Sequence, residues 1–300
     1  MRYFILSFGI FMIVLITIIN FQSDNIINYV DDKLNKKEIV VEENEYFIDE
    51  QFSFIKNYTD DVNNKEELIN YIYYVINSGA TLADGECTEE YSTCTTDLEQ
   101  ISNDQELLSL LNNYVHPFNS FKTIKFTYSD RGTFSLEISH IYSDEDIKQI
   151  NTITDKIINE NINENMSNAE KVKAIHDYII ETTDYDELKY NNINDTTYRS
   201  NTAYGVLVEH FGICSGYADT TFILLHKLGI TNYKISNDSH VWNLVYINGK
   251  WLHLDTTWDD PIYANNPNRD NYFLIDTKTL NSYQDNEHYF NSHIFTEALS

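Results

Sequence analysis

The sequence predicts an α+β fold in which a helix packs on an antiparallel sheet. Two apolar, aromatic-rich runs, residues 240–246 and 251–258, flank Asn248-Gly249, the strongest short-range signal for a two-residue hairpin turn. Earlier in the chain, apolar residues recur at spacings of three and four over residues 215–228, which predicts a helix. Helix and strand patterns earlier in the chain predict a smaller α+β segment that precedes this core.

The two-residue turn determines which hairpin residues share a face of the sheet. It predicts that Trp242 pairs with Asp255 across the two strands. Because side chains alternate along a strand, His240 then lies on the same face as Asp255, as its diagonal neighbour. Backbones in this relation are about 7–8 Å apart, which is close enough for a hydrogen bond between the side chains. We expect the opposite face, with Val241 and Val245, to face the core.

Cys214 lies at the predicted beginning of the helix, because Gly212 interrupts the run before it. The helix dipole and the unpaired amides of a first turn favour a thiolate there and are suited to holding a developing oxyanion. A cysteine nucleophile needs an attacking thiol, a base that deprotonates it and a carboxylate that orients the base. Cys214, His240 and Asp255 supply these groups, so the residues predict acyl-transfer chemistry.

Three motifs in this order resemble the transglutaminase-like superfamily, a branch of the papain-like cysteine enzymes, and most closely its bacterial extracytoplasmic members. The motifs are Gly-Ile-Cys-Ser-Gly-Tyr-Ala at 212–218, His-Val-Trp-Asn at 240–243 and Asp-Thr-Thr-Trp-Asp-Asp-Pro at 255–261. The resemblance covers roughly residues 165–276. Within it, residues 170–178 look like the first core helix of the family and residues 271–275 like a closing strand.

The resemblance implies a papain-like transglutaminase core with Cys214 as nucleophile, His240 as general base and Asp255 as orienting carboxylate. It also makes Tyr204 a candidate for supporting the oxyanion, because similar bacterial proteins often carry an aromatic residue before the cysteine. The implied reaction attacks amide bonds of proteins or peptides, including peptides of the cell wall, and passes through a thioester. Hydrolysis and cross-linking both remain open, and the mechanism needs no cofactor.

Two other interpretations use the same residues. Cys214, His240, His253 and Asp255 are residue types that bind zinc, although their spacing matches neither a CxxC nor an HExxH pattern. A non-catalytic binding module on the cell surface would use the same cleft to hold a peptide or a wall polymer. Thiol chemistry separates the catalytic and the binding interpretations, since a catalytic Cys214 reacts quickly with iodoacetamide.

Several neighbouring residues are expected to have structural roles. His176 lies in a predicted helix, and His253 lies among aromatic residues of the hairpin. Asp259 and Asp260 come directly before a proline, as turn residues commonly do. The three tryptophans are expected to form walls of the cleft or part of the core: Trp242, Trp251 and Trp258.

Residues 1–22 are expected to form a membrane anchor or a signal peptide. Residues 3–21 are almost wholly apolar and uncharged, and this run of about 19 residues is long enough to span a bilayer. Arg2 precedes the run, which favours a cytoplasmic N-terminus, and no small-residue cleavage site follows it. The sequence therefore favours a single anchor in the cell membrane with the catalytic domain outside. A cleaved signal and a secreted enzyme are the alternative.

The rest of the chain is expected to comprise a polar linker at 23–64, an α+β support domain at 65–163 and the catalytic domain at 164–300. The patterns of the support domain predict helices at 66–78, 103–114 and 145–161, and strands at 122–128 and 133–141. No function follows from this pattern alone, so support or substrate positioning is the expectation.

The net charge and the cysteine content limit which partners and which compartment the sequence allows. The formal net charge of −27 argues against nucleic-acid binding, because contact with phosphates requires a basic face. The expected partners are a protein or peptide substrate and, through the N-terminal segment, the membrane. Cys87 and Cys94 lie close together and are able to pair in an oxidising compartment, which would leave Cys214 as the odd thiol. The sequence leaves this pairing open.

Overall fold

The computed structural model describes residues 40–56, 58, 61–260 and 269–300. The described residues form two compact units, which divide after residue 142, and residues 52–54 belong to the second unit. We expected this boundary at residues 163 and 164. The helix expected at 145–161 therefore belongs to the same unit as Cys214 rather than to the support domain.

The N-terminal unit consists of helices and a three-stranded antiparallel sheet with the strand order β1-β3-β2. Its elements are helices α1 (Lys65–Ser78), α2 (Cys94–Asn103) and α3 (Gln105–Leu111) and strands β1 (Leu82–Glu86), β2 (Phe121–Tyr128) and β3 (Thr133–His140). The predicted helix at 66–78 and the two predicted strands are confirmed to within one residue.

The predicted helix at 103–114 is wrong in its extent. Two helices meet there, and Asp104 both ends α2 and begins α3. The Asp104 carboxylate accepts a hydrogen bond from the N–H of Leu107 at 2.9 Å, as the side chain of a helix N-cap does. The predicted element therefore corresponds to α3 alone, which begins after this cap, and α2 before it was not predicted.

Apart from residues 52–54, which belong to the C-terminal unit, the described part of the expected linker is packed into the N-terminal unit. Ile48, Ile55 and Val62 are all buried. The side chain of Asn77 in α1 accepts a hydrogen bond from the N–H of Ile48 at 3.1 Å and donates to its carbonyl at 2.8 Å. These residues are therefore part of the fold rather than a solvated linker.

Cys87 and Cys94 form a disulfide, which settles the pairing that the sequence left open. Cys87 follows β1 and makes an isolated β-bridge with Val62, whereas Cys94 begins α2. Among the described residues, Cys214 is the free cysteine. The disulfide joins the chain just after β1 to the beginning of α2.

The C-terminal unit is an α+β core built around a three-stranded antiparallel sheet with the strand order β6-β7-β8. Its helices are α4 (Asp144–Asn161), α5 (Asn168–Thr182), α6 (Glu187–Asn191), α7 (Cys214–Lys227) and α8 (Thr277–Ser282), and its strands are β4 (Asp184–Tyr185), β5 (Phe211–Gly212), β6 (Asn232–Ser236), β7 (Val241–Ile247) and β8 (Lys250–Leu254). Helix α7 packs on the sheet, and the Asn243 amide of β7 donates to the carbonyl of Ala218 in α7 at 3.1 Å. The predicted fold class is confirmed.

The hairpin register is the one that the turn predicts. Ile247 pairs with Lys250, and the ladder continues along both strands to the pair of Asn243 with Leu254. Asn248 and Gly249 both have positive φ, 52° and 83°, as a type I′ turn requires. The side-chain faces of β7 and β8 therefore follow the predicted alternation.

Both faces of the sheet are buried around Trp242, which therefore lies in the core, one of the two places expected for it. Trp242 is 1% exposed, and its ring lies 6.4 Å from that of Phe290 in the C-terminal segment. The ring of Tyr233 lies 6.4 Å from that of Phe295 in the same segment. Residues 285–300, for which we predicted no structure, thus cover the face opposite α7.

The third strand of the sheet is β6 rather than the closing strand expected at 271–275. That segment makes a single bridge between Ile275 and His253, and Leu274 has a φ of 48°, which strands do not accommodate. Strand β6 was not predicted because it carries Lys234 in a buried position. The Lys234 ammonium pairs with Asp219 of α7 at 2.7 Å, and this partner makes its burial tolerable.

The anchor expected at residues 1–22 lies outside the described residues, as does the first part of the expected linker. Among the residues that the structure does describe, no helix combines the length and the apolar character needed to cross a membrane.

Candidate active site

Cys214 begins helix α7, one residue earlier than predicted. The N-cap is Ile213, whose side chain offers no acceptor to the amides of the first turn. The Ile213 N–H donates to the carbonyl of Ser200 at 2.9 Å, and a Cβ added at Gly216 would lie only 2.3 Å from the same oxygen. The loop around Ser200 is therefore pressed against this turn. The Cys214 side chain is nearly buried, and 9% of the residue is exposed.

His240 lies immediately before β7, and its backbone and ring are both held in place. The carboxamide oxygen of Asn237 accepts the His240 N–H at 2.9 Å, and the Asn237 N–H donates to the His240 carbonyl at 3.0 Å. The imidazole stacks on the indole of Trp242, with ring centroids 5.6 Å apart and an interplanar angle of 15°. The ring is thus oriented by residues of its own strand and of the loop before it.

Asp255 directly follows β8 and accepts hydrogen bonds at both carboxylate oxygens. Oδ2 lies 2.5 Å from Nε2 of His240, as the predicted diagonal relation requires. Oδ1 accepts the backbone N–H groups of Thr257 at 2.8 Å and Trp258 at 3.1 Å. The carboxylate is buried, so the structure brings this imidazole and this carboxylate together in a dry environment.

The charges of this pair stabilise each other. Burial alone would lower the pKa of His240, but the charge of Asp255 and its hydrogen bond outweigh burial and raise that pKa well above its usual value. Cys214 lies close enough to the ring to raise the pKa further. Burial disfavours the ionised form of Asp255, yet His240 and His288 hold the pKa of this carboxyl far below its usual range. The geometry therefore favours an imidazolium between a carboxylate and the sulfur.

His288 is a second histidine on Asp255, and the sequence analysis missed it. Its Nε2 lies 2.8 Å from Oδ2 of Asp255, and its Nδ1 lies 2.9 Å from Oδ1 of Asp285. The ring is buried and stacks on Tyr272, with centroids 4.5 Å apart. The only local signal is the aromatic run that begins at His288 near the C-terminus, and nothing in that run points to Asp255.

His253 has the structural role that we expected. Its Nδ1 accepts the indole N–H of Trp242 at 3.0 Å, and its Nε2 lies 2.9 Å from Oγ1 of Thr277. Burial, together with the nearby charge of His288, lowers the pKa of His253 to about 3, so the ring is neutral. These contacts tie the hairpin to the beginning of α8.

Two clusters among the described residues have the residue types of a metal site, His240 with Asp255 and His288, and His176 with Asp177 and Asp270. In the first, which lies at the site, the ligand atoms are within 4.8 Å of one another. His253 is engaged elsewhere, so the set differs from the one considered from the sequence. The contacts of 2.5 and 2.8 Å are direct hydrogen bonds. Ligand atoms around a tetrahedral zinc ion would be about 3.3 Å apart, given bond lengths near 2.0 Å. Hydrogen bonds between these three side chains therefore explain why they lie together.

Asp259 and Asp260 lie in a turn, as expected, but they also anchor it. The Asp259 carboxylate is fully buried, lies 3.1 Å from Nε2 of His176 in α5, and accepts the N–H of Tyr272 at 2.9 Å. Burial raises the pKa of Asp260 to about 6, even though a hydrogen bond of 2.7 Å from the Tyr217 hydroxyl opposes the shift. Helices α5 and α7 thus both hold the turn that follows Asp255.

Tyr204, the predicted oxyanion residue, packs against another partner. The guanidinium of Arg199 lies 4.2 Å from the centroid of its ring and forms a two-bond ion pair with Asp146. The role of Tyr204 in supporting an oxyanion stays a prediction.

Tyr185 is a further tyrosine, on the strand beside the segment that leads to Cys214, that the sequence did not single out. It lies in β4 and pairs with Gly212 of β5, two residues before Cys214. Burial raises the pKa of Tyr185, and the charges of Cys214, Glu287 and Asp255 raise it further. The hydroxyl therefore stays protonated and able to donate a hydrogen bond.

Comparison with known proteins finds a family match for part of the C-terminal unit. Residues 155–256 match the family model of the transglutaminase-like superfamily, so the chain carries a transglutaminase-like domain that includes Cys214, His240 and Asp255. No curated protein matches the chain.

Two solved structures are similar to parts of the chain. One is the crystal structure of a TGase, with 19% identity, a TM-score of 0.36 and coverage of 49% of this chain and 46% of that one. The other is a candidate cysteine protease from Cytophaga hutchinsonii, with 16% identity, a TM-score of 0.28 and coverage of 45% and 61%. The chain spans less than two thirds of either protein.

Asp255→Asn is expected to lower the pKa of His240, because it removes the charge that raises this pKa. The wild-type imidazolium persists as the pH rises above neutrality, whereas the variant should lose its proton at lower pH. An NMR titration of the His240 ring measures the difference. Asp259→Asn is the matched control, since it makes the same change at a buried carboxylate that faces His176. An equal effect of the two substitutions would contradict the assignment.

Proposed function

We propose that this protein is a cysteine-dependent acyl-transfer enzyme that acts on amide bonds of proteins or peptides, with Cys214, His240 and Asp255 as its catalytic triad. The observation that carries the proposal is the buried hydrogen bond between His240 and Asp255 beside a free cysteine at a helix N-terminus. The match to the transglutaminase-like superfamily supports the same chemistry.

In the first half of the reaction, the Cys214 thiolate attacks the carbonyl carbon of the amide. A carbon–sulfur bond forms, and the electron pair of the carbonyl moves to oxygen, where amides of the first turn of α7 stabilise it. The His240 imidazolium then donates its proton to the amide nitrogen. The carbon–nitrogen bond breaks, the amine leaves, and a thioester with Cys214 remains.

In the second half, an acceptor attacks the thioester and expels the thiolate. His240, now neutral, takes a proton from the acceptor and returns to the imidazolium, which Asp255 stabilises. Water as acceptor gives hydrolysis, and a lysine amine gives an isopeptide cross-link. We favour hydrolysis as the net reaction.

Cys214→Ala is expected to abolish both cleavage and amine incorporation, because no thioester forms without the sulfur. The experiment incubates the full-length protein with a peptide or protein library and a primary-amine probe, and mass spectrometry reads cleaved and probe-labelled products. Ser215→Ala is the matched control on the adjacent residue and should retain activity.

Circular dichroism verifies that both variants fold. Turnover near the wild-type rate in folded Cys214→Ala would refute the nucleophile. If the wild-type protein retained peptides but neither cleaved nor labelled them, the binding-module interpretation would replace the enzymatic one.

We also propose that the Tyr185 hydroxyl donates a hydrogen bond to the oxyanion. Tyr185→Phe keeps the ring and removes the donor, and a lost oxyanion donor costs on the order of 10²-fold or more in kcat. Tyr204→Phe makes the same change at the residue that the sequence favoured. We expect its kcat to be nearly unchanged, because the ring of Tyr204 packs on Arg199 and phenylalanine keeps that ring. A large loss in Tyr204→Phe with none in Tyr185→Phe would reverse the assignment. Steady-state kinetics on a peptide substrate measures both variants.

For location, we propose a single N-terminal anchor in the cell membrane with the catalytic unit outside. The uncharged apolar run at residues 3–21 supports an anchor, and the disulfide between Cys87 and Cys94 is typical of an oxidising compartment. Protease treatment of intact cells should digest the catalytic unit, and N-terminal sequencing should find an uncleaved chain. A mature protein that begins near residue 23 and accumulates in the medium would show secretion instead.

A further inference from the structure

His288 occupies a position between two carboxylates that the catalytic triad does not explain. Its Nε2 lies 2.8 Å from Oδ2 of Asp255, and its Nδ1 lies 2.9 Å from Oδ1 of Asp285. Its side chain is 2% exposed. The same Oδ2 atom of Asp255 also faces Nε2 of His240 at 2.5 Å, so two imidazoles share one carboxylate oxygen.

The two carboxylates determine the charge of the His288 ring. An ionised carboxylate only accepts hydrogen bonds, so both ring nitrogens of His288 must donate for both contacts to be satisfied. The ring with two N–H groups is the positively charged imidazolium.

The segment that carries His288 is attached to the loop that carries His240. The carboxamide nitrogen of Asn237 donates to the carbonyl of Glu287 at 2.6 Å and to that of Tyr289 at 2.7 Å. The carboxamide oxygen of the same side chain accepts the His240 N–H at 2.9 Å. The Asn237 side chain thus fixes the backbone at both histidines, which contact Asp255 from two sides.

We propose that His288 is a positioning residue of this site, whose positively charged ring holds Oδ2 of Asp255 and offsets part of the negative charge that the carboxylate directs at His240. The proposal rests on the proposed function. His240 has to keep its proton until the leaving amine needs it, and then release it. Without a second positive charge beside it, this carboxylate in the dry interior would hold that proton too strongly.

The effect on His240 should be mainly one of charge, because other contacts already orient Asp255. Oδ1 is held by the N–H groups of Thr257 and Trp258, neither of which involves His288. The ring centroids of His240 and His288 lie 5.2 Å apart, a distance at which a positive charge acts strongly on its neighbour. The titratable groups around His288 are Asp255, Asp285, His240, His253 and Tyr272.

The test replaces His288 with neutral side chains in the full-length protein. His288→Phe removes both the charge and the donor, whereas His288→Gln removes the charge and keeps a donor. In both variants we expect the pKa of His240 to rise by about one pH unit or more, because a nearby positive charge is lost. NMR of histidine-labelled protein measures this pKa, with the His240 signal identified by its absence from His240→Gln.

The kinetic counterpart is a shift of the alkaline limb of kcat/KM to higher pH, with a fall in kcat of about tenfold or more and little change in KM. His293→Gln is the matched control, since His293 lies in the same segment with an exposed side chain. It should change neither the pKa of His240 nor the rate.

An unchanged or lowered pKa of His240 in both folded variants would overturn the proposal, because a merely structural His288 would leave the ring unaffected or loosen its contact with Asp255. If His288→Phe fails to fold, His288→Gln decides the question alone. The NMR measurement does not require turnover. A wild-type protein without acyl-transfer activity would therefore refute the proposed function while the charge relation remains measurable.

Discussion

The buried carboxylate of Asp255 is the constraint on which the arrangement of the C-terminal unit depends. A charge in the protein interior is costly unless donors surround it. Asp255 has four donors: the rings of His240 and His288 and the backbone N–H groups of Thr257 and Trp258. These donors come from the loop before β7, the C-terminal segment and the turn after β8. All three regions have to be in place before the carboxylate is satisfied.

The same requirement explains why the sheet is buried on both faces. Helix α7 covers one face and places Cys214 near the beginning of β7, where Val241 packs with it. The C-terminal segment covers the other face with Phe290 and Phe295 and brings His288 to Asp255. Packing of apolar side chains and completion of the polar site are therefore coupled, since one segment performs both.

Two further buried polar contacts hold the elements of the site together. Lys234 of β6 pairs with Asp219 of α7, and His176 of α5 contacts Asp259 in the turn after Asp255. Breaking such a pair by removing one partner is costly, because the other group stays buried without compensation. The helix that bears the nucleophile and the turn that bears the carboxylate are thus each fixed by a contact with a distant element.

The sequence by itself determined the local features of this protein. Asn248-Gly249 specified the turn, the turn specified the register, and the register placed His240 diagonal to Asp255. Gly212 and the spacing of apolar residues located the helix that begins at Cys214. These predictions succeeded because turns, strand alternation and helix periodicity depend on residues within a few positions of one another.

Only the tertiary structure decided what depends on distant residues. Strand β6 has a polar residue, Lys234, whose burial makes sense only beside Asp219. Tyr185 is near Cys214 because β4 pairs with β5, and His288 meets Asp255 because the C-terminal segment folds over the sheet. No local pattern encodes such contacts, since their free energy arises from groups that meet only when the whole unit has folded.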